Sequence, residues 1–175
     1  FPKDLWVSRV IASQHKKERV YVTLNGYRSD DFTVYVYRSD DYGKTWENIS
    51  NNIPTSPVNV IREDSENPNL LYVGTDNGAY ASFNQGKEWF PFHKGLPNVA
   101  VHDLVIQPSA KHLILGTHGR SLYKATIASL QLMTPEIMAK EAHIFPISTI
   151  KKNRSWGNSW GRWSTPFIPK ISIPY

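Results

Sequence analysis

Short stretches of mostly apolar residues, separated by turn residues, recur along most of the chain. The clearest, residues 19–24, 70–75 and 113–117, are rich in β-branched and aromatic side chains, which is typical of half-buried strands. Two of them carry a Gly-Thr pair, and Gly74 and Gly116 lie 42 residues apart. Strand patterns that recur at this period are typical of radially repeated sheets. The pattern therefore predicts an all-β fold built from repeated antiparallel units.

A turn motif follows the third strand of the pattern in two places, which we call the first and second motif turns. Residues 39–46 read S-x-D-x-G-x-T-W, and residues 82–89 repeat the motif with Asn for Asp and Glu for Thr. Asp41 is a short acceptor suited to the backbone N–H groups of a tight turn, and Gly43 permits a positive φ. Trp46 is expected to be largely buried against a neighbouring blade. The motif positions are Ser39, Asp41, Gly43, Thr45, Trp46, Ser82, Asn84, Gly86 and Trp89.

We interpret these turns as hairpins that stabilise the fold, because every motif position has a local backbone role. The alternative is that Asp40 or Asp41 is a catalytic acid or a metal ligand. The repeats predict three units, residues 5–50, 56–93 and 99–132, and each reads as a blade of four antiparallel strands. Residues 27–31 form a polar insertion in the first unit. A closed propeller usually needs roughly four to eight blades, so we expect a piece of a larger protein.

The motif is identified as an Asp-box, also called the bacterial neuraminidase repeat. It resembles the repeats of sialidases, xyloglucanase-type glycosidases and sortilin-type receptors, and the resemblance implies a β-propeller. From Gly116-Thr117 to Phe145-Pro146 the chain resembles the end of large bacterial sortilin-like proteins of the glycosyl-hydrolase type. The resemblance covers residues 5–147. The chain has no cysteine, unlike eukaryotic sortilins with their cysteine-rich module, so the resemblance points to an extracytoplasmic bacterial protein.

The character of the chain changes after Leu132. Thr134 as a cap, Pro135 at the first position and Glu136 in the first turn predict one short helix over residues 135–141. Residues 143–147 are predicted to be an edge strand that ends at a proline. Residues 1–147 would then be the last three or so blades with a closing helix and strand. Residues 148–175 would be a Trp/Pro-rich linker, leading into a further domain that the resemblance implies is a β-sandwich.

Three tryptophans stand among glycines in that linker, and two roles are open for them. They can anchor the linker onto the propeller, or they can stack on sugar rings. These residues are Trp156, Trp160 and Trp163.

The net charge of +5 comes from scattered basic residues, which favours a solvated surface over a nucleic-acid or acidic-glycan interface. The absence of cysteine excludes disulfides and thiolate metal sites from this chain. No run of about 18 apolar residues is present, so the sequence predicts no transmembrane helix. No spacing of the H-x-x-x-H type occurs, and we predict neither a metal nor a cofactor.

Blade topology places a candidate ligand face on the side opposite the motif turns. Turns between second and third strands lie there, together with the starts of inner strands, near the central channel. We expect the candidate residues, His118 among them, to converge there. His102 and Asp103 could form an orienting pair for acid–base chemistry. Ordinary polar turn chemistry is the alternative. The candidate residues are Asp76, Asn77, His102, Asp103, His118 and Arg120.

Two functions remain open. The first is a binding or scaffolding module for a protein, peptide or glycan, with the remaining blades and domains of a larger protein as partners. The second is part of a sialidase- or xyloglucanase-like glycosidase. Such enzymes need two carboxylates roughly 5 to 9.5 Å apart, and no acidic pair here has that context, so the carboxylates would lie mostly outside this segment. Arg62 and Arg120 match the sialidase arginine cluster by residue type only.

Overall fold

The computed structural model describes residues 1–146 of the 175-residue chain. The chain divides into two units, Phe1–His143 and Ile144–Tyr175, and only residues 144–146 of the second are described. The linker predicted over residues 148–175 lies outside the described residues, as do Trp156, Trp160 and Trp163. All the described strands lie in the first unit.

Three antiparallel sheets make up this unit, and each corresponds to one predicted blade. The first and second blades have four strands in chain order, and the third has three. The first blade contains β1 (Trp6–Ala12), β2 (Val20–Gly26), β3 (Asp31–Ser39) and β4 (Glu47–Asn48), the second β5 (Val58–Glu63), β6 (Leu71–Thr75), β7 (Gly78–Ser82) and β8 (Phe90–Pro91), and the third β9 (Val101–Gln107), β10 (His112–Thr117) and β11 (Leu122–Thr126). The described chain is thus an all-β partial propeller, as the repeats predicted.

Each inner strand contains a register shift at the same place. The shift falls between Val7 and Arg9 in β1, between Val58 and Val60 in β5, and opposite the step from Gly116 to Thr117 in β9. An extra residue therefore stands outside the ladder at the start of every inner strand, in the manner of a β-bulge. The three bulge residues are Ser8, Asn59 and His102.

Strand pairing aligns the second and third blades differently from their sequence repeat. Repeat comparison matches Val58 with Ala100, whereas the structure matches Val58 with Val101, since each pairs with the threonine of its Gly-Thr pair. That pair ends the second strand and does not form the turn itself. A Cβ on Gly74 would lie 2.7 Å from the Val60 side chain and 2.8 Å from the Val101 carbonyl oxygen. Glycine at this position lets the second and third blades approach closely.

The hydrophobic core lies between the blades. One buried cluster joins the first and second blades through residues such as Tyr21, Val36, Ile61 and Trp89. A second cluster joins the second and third blades and includes Tyr72, Leu104 and Leu115. Each sheet thus uses its faces to bury apolar area against its neighbours, which is how stacked repeats acquire a core.

Hydrogen bonds within the first motif turn engage both carboxylate oxygens of Asp41. Oδ1 accepts from the amide nitrogens of Lys44 (2.9 Å) and Thr45 (2.8 Å), and Oδ2 accepts from Thr45 Oγ1 at 2.6 Å. Ser39 Oγ donates to Asp41 Oδ1 and accepts from the Gly43 amide at 2.8 Å. Asp41 thus accepts bonds from its own turn, as expected. Tyr42, with φ 61°, adopts a left-handed conformation beside Gly43, which the sequence analysis did not anticipate.

Acid should weaken this turn. The hydrogen bonds from Thr45 lower the pKa of Asp41 to about 2, below the value of about 3.9 expected in the unfolded chain. The stability that Asp41 contributes is therefore present above about pH 4 and is lost as the pH falls towards 2. We expect Asp41→Asn, which copies Asn84 of the second motif turn, to lower the Tm at pH 7 and to flatten its fall between pH 5 and pH 2.

Thermal unfolding of both proteins at several pH values measures this effect. Asp30→Asn is the matched control, because Asp30 is exposed in the loop before β3, and its profile should follow the wild type. Superimposable profiles of wild type and Asp41→Asn would show that the carboxylate does not stabilise the turn.

The second motif turn has the same backbone and packs on the first blade. Gln85 and Gly86 have φ values of 60° and 87°, and Asn84 Oδ1 accepts from the Glu88 amide at 2.9 Å. Trp89 is 2% exposed, and its Nε1 donates to the carbonyl oxygen of Ile49 at 2.7 Å.

Trp46 is less completely buried than its counterpart Trp89. The side chain is only partly buried, and its Nε1 donates to Gly43 of its own turn at 3.0 Å. Trp89 packs against the first blade, which precedes its own blade in the chain. Trp46 belongs to the first blade itself and has no preceding described blade to pack against. The ring that contacts Trp46 is Phe1, with centroids 5.0 Å apart.

The segment after β11 forms two single-turn helices instead of one helix over residues 135–141. They are α1 (Ala128–Gln131), which was not predicted, and α2 (Pro135–Met138). Thr134 caps α2 as predicted, since its hydroxyl accepts from the Ile137 amide at 3.3 Å. The helix ends early because Lys140 and Glu141 are exposed and add no apolar contact. Residues 143–146 do not form the predicted strand, and Ile144 is 87% exposed.

Candidate functional site

Strand pairing places the candidate ligand face at one end of the blades. The start of β5 pairs with the end of β6, and the start of β9 pairs with the end of β10. The amide of Asp76 donates to the Pro57 carbonyl at 3.1 Å, and the amide of His118 donates to Ala100 at 2.9 Å. Inner-strand starts and the turns after second strands therefore meet at this end, while both motif turns lie at the other.

In the second blade, the bulge residue Asn59 links three blades through its amide group. Its Nδ2 donates to Asp76 Oδ1 at 2.8 Å and to the Val101 carbonyl at 3.3 Å. Its Oδ1 accepts from Asn25 Nδ2 at 3.0 Å. Asp76 is thus held by the bulge residue of its own blade. Asn59 was missed by the sequence analysis, because nothing in the alternation of β5 reveals a bulge.

In the third blade, the equivalent positions carry His102 and His118. Their ring centroids lie 5.4 Å apart and the rings are tilted by 48°. Both side chains are exposed. The structure therefore brings these two candidates together on one face, as the topology predicted.

The Asp103 side chain contacts residues of the other two inner strands and makes no hydrogen bond to His102. Its Oδ1 accepts from Arg9 Nη2 at 2.8 Å and from the Leu104 amide at 3.0 Å, and Arg62 Nη2 lies 3.5 Å from it. These contacts argue against Asp103 as the partner that orients His102. Two guanidinium groups share one carboxylate here, so the cluster carries a net positive charge. Arg9 Nε is buried and has no hydrogen-bond partner.

Asn77 and Arg120 lie in the turns of this face. The Asn77 amide donates to Thr75 Oγ1 at 3.2 Å, which closes the turn between β6 and β7. The corresponding turn of the third blade is closed by Thr117 Oγ1, which donates to the Ser121 carbonyl at 2.6 Å, and Arg120 is exposed on it. An open cleft of about 460 Å³ lies beside Asn77, lined by Asn77, Gly78, Ala79, Tyr80, Pro91, His93, Leu96, Pro97 and Asn98.

Buried acidic groups at the opposite end of the blades were not anticipated. Glu63 is 2% exposed and accepts from Ser13 Oγ (2.8 Å), from the Gln14 amide (2.7 Å) and from Tyr21 Oη (3.0 Å). Burial and the nearby Glu63 carboxylate raise the pKa of Tyr21. The sequence signal that was available is an acidic residue at the end of the strand-like stretch Val58–Glu63. These contacts join β5 to the first blade, which is a structural role.

Asp40, the other acid considered at the first motif turn, is also engaged. Its carboxylate pairs with Arg19 and lies 3.4 Å from Arg38 and 3.6 Å from Lys16. The Arg19 hydrogen bond, with the charges of Arg38 and Lys16, lowers the pKa of Asp40. Among residues 1–146, no three His, Asp or Glu side chains group together as a metal site. No helix in that range is long and apolar enough to cross a membrane.

Comparison with known proteins supports the fold. No protein-family model and no curated protein matches this chain. Solved structures do match: an ancestral GH74 enzyme (TM-score 0.53, 23% identity) over 65% of this chain and 14% of its own length. The GH74 xyloglucanase of Xanthomonas campestris (0.54, 17%) and a GH74 enzyme of Niastella koreensis (0.55, 21%) each match 69% of this chain and 21% of their own.

Because the chain spans about a fifth or less of these enzymes and the identities are low, the likeness concerns the fold alone. The structures it resembles are β-propeller glycoside hydrolases. The antiparallel blades, their shared cores and these matches together identify the chain as part of a β-propeller of the kind found in GH74 enzymes.

Proposed function

We propose that this chain is the binding part of a larger extracytoplasmic bacterial propeller protein, with an acidic glycan or peptide as its ligand. The observation that carries the proposal is the convergence of polar side chains from three blades on one face. Asp103 meets Arg9 and Arg62 along the inner strands, and His102 meets His118 where β9 begins and β10 ends. Ligands commonly bind to propellers at the strand ends and loops of one face.

The charges on this face favour a negatively charged ligand. Arg9 and Arg62 outnumber the one carboxylate between them, and Arg120 is exposed nearby on the β10–β11 turn. A guanidinium presents a planar pair of donors that suits a carboxylate. A uronic-acid glycan and an acidic peptide both offer that group, so both belong to the same ligand chemistry.

Binding is favoured over hydrolysis because the carboxylates on this face are engaged. Asp76 Oδ1 accepts from Asn59, and Asp103 Oδ1 accepts from Arg9. A glycosidase needs one carboxylic acid that donates a proton and a second carboxylate that is free to act as base or nucleophile. The second candidate function, part of a glycoside hydrolase, is supported by the likeness to GH74 enzymes, one of which is a xyloglucanase. Its catalytic carboxylates would then come mostly from outside residues 1–146.

The proposed organisation follows the same reasoning. Residues 1–147 would form the last blades of the propeller with their closing segment, and residues 148–175 would lead into a further domain. The remaining blades of the larger protein are the expected partners of this segment. The chain matches only 14% to 21% of each GH74 enzyme, which supports the expectation that further blades complete the propeller.

Arg120→Ala is expected to weaken binding of an oligogalacturonate probe by 10-fold or more. A hydrogen bond to a charged group contributes about 1.5–3 kcal/mol, which is roughly 10- to 100-fold in affinity. Arg120→Lys should also weaken binding, since a lysine keeps the charge but loses the planar pair of donors. Isothermal titration calorimetry with the intact protein measures both, with a poly-glutamate peptide as the second acidic probe.

Lys87→Ala is the matched control, because Lys87 is an exposed cation in the second motif turn at the opposite end. It should bind like the wild type. Equal affinity of wild type and Arg120→Ala for both probes would remove Arg120 from the site. Release of reducing ends from xyloglucan or of sialic acid from a sialoside by the intact protein would instead favour the hydrolase.

A further inference from the structure

We propose that His102 and His118 form a two-imidazole site for a borderline divalent metal ion such as Zn²⁺, Ni²⁺ or Cu²⁺. Both side chains are exposed on the ligand face; His102 lies in β9, and His118 directly follows the adjacent strand β10. The inference rests on this geometry and does not depend on the acidic ligand proposed above.

The backbone holds the two residues side by side. His102 is the bulge residue of β9, and His118 is the first residue after β10. The amide of His118 donates to the Ala100 carbonyl at 2.9 Å, which ties the end of β10 to the segment before β9. The relative position of the two Cα atoms is thus set by the sheet and not by a loose loop, which favours a chelating pair.

The second blade shows that side chains at these two places reach each other. There the same positions carry Asn59 and Asp76, and their side chains form a direct hydrogen bond of 2.8 Å. The third blade replaces an amide and a carboxylate with two imidazoles. Among the described residues, no side chain forms a hydrogen bond that holds either ring.

The separation of the rings matches what one shared metal ion requires. An imidazole nitrogen binds Zn²⁺ at about 2.0–2.1 Å, so each ring centre lies roughly 3.2 Å from the ion. At a tetrahedral angle, two such ring centres lie about 5.2 Å apart. The observed separation is 5.4 Å, and the tilt of 48° keeps the rings from stacking on each other.

The donor set selects the class of metal. Imidazole suits Zn²⁺, Ni²⁺ and Cu²⁺, while Ca²⁺ and Mg²⁺ require oxygen ligands. Because no third His, Asp or Glu joins the pair among residues 1–146, water would complete the coordination. The protein thus supplies two ligands to an exposed ion, and the expected affinity is in the micromolar range. The water-filled positions would be open to oxygen atoms of a bound ligand.

Titration of the intact protein with ZnCl₂ and NiCl₂ in a non-chelating buffer tests the site. Calorimetry should give one site per chain, and His102→Ala and His118→Ala should each weaken binding at least 10-fold. ZnCl₂ should raise the Tm of the wild type but not of these variants. MgCl₂ and CaCl₂ should produce no such effects. His93→Ala is the control, because His93 is exposed beside the neighbouring cleft, and it should behave like the wild type.

A second variant separates loss of metal binding from loss of fold. His102→Asn combined with His118→Asp recreates the hydrogen-bonded pair of the second blade, so it should fold like the wild type and bind neither metal. The proposal would be overturned by wild-type affinity in that double variant, or by a wild type that binds no Zn²⁺ at 1 mM. Neither outcome bears on the Arg120 experiment, which uses acidic probes without metal.

Discussion

Replacement of Trp89 with alanine is expected to destabilise the protein by about 3–5 kcal/mol, the cost of removing a large aromatic side chain from a core. Trp89 is 2% exposed and lies in the cluster that joins the first and second blades. Its Nε1 donates to Ile49, and its backbone exchanges two hydrogen bonds of 2.8 Å with the Asn52 side chain. The substitution therefore removes both apolar area and a polar link between blades.

Denaturant unfolding of the intact protein measures this loss, and Trp6→Ala serves as the control. Trp6 lies in β1, but it is 60% exposed, so its removal should cost far less. Trp89→Phe should fall between the two, since it keeps a ring but loses the indole donor. If Trp89→Ala and Trp6→Ala had equal effects, the contact between these two blades would not depend on the tryptophan.

Replacement of Glu63 with alanine is expected to have the second-largest effect, on the order of 3 kcal/mol. The carboxylate accepts from Ser13, Gln14 and Tyr21, and each donor that is left unpaired in a buried place costs about 1–3 kcal/mol. Glu63→Gln should cost less, because the amide oxygen still accepts. Unfolding free energies of the two variants measure the difference.

Glu88→Ala is the matched control, because Glu88 is an exposed glutamate of the second motif turn. It should leave the free energy of unfolding nearly unchanged. A wild-type value for Glu63→Ala would mean that water replaces the carboxylate as the acceptor for the three donors.

Much of the fold follows from the sequence because its signals are local. β-branched and aromatic residues in β2, β6 and β10 indicate strands, and the two motif turns indicate hairpins, since a turn is specified by its own residues. Trp46 shows the limit of this reasoning. Its burial depends on which surface lies opposite, and that is not a property of the motif. The predicted helix over residues 135–141 was too long for a similar reason. Capping and propensity predict where a helix begins, but its end depends on tertiary packing.

The candidate site was predicted in part. Topology brings His102 and His118 together, because the ends of antiparallel strands must coincide. The partners of Asp103 were not predictable, since Arg9 lies 94 residues away and reaches it across the inner strand of another blade. Asn59 was missed because a bulge leaves no mark in the alternation of side chains. Long-range ion pairs and register shifts are decided by three-dimensional packing, which a single sequence does not encode in any short pattern.

The register shift in every inner strand has a consequence for how this rim can change. Ser8, Asn59 and His102 occupy one equivalent slot with a hydroxyl, an amide and an imidazole, while the ladder on either side continues in register. Because the slot lies outside the ladder, its side chain can be exchanged without shifting the strand into a different pairing. The pairing register of each inner strand and the side-chain chemistry that it brings to this rim therefore depend on different positions of the same strand.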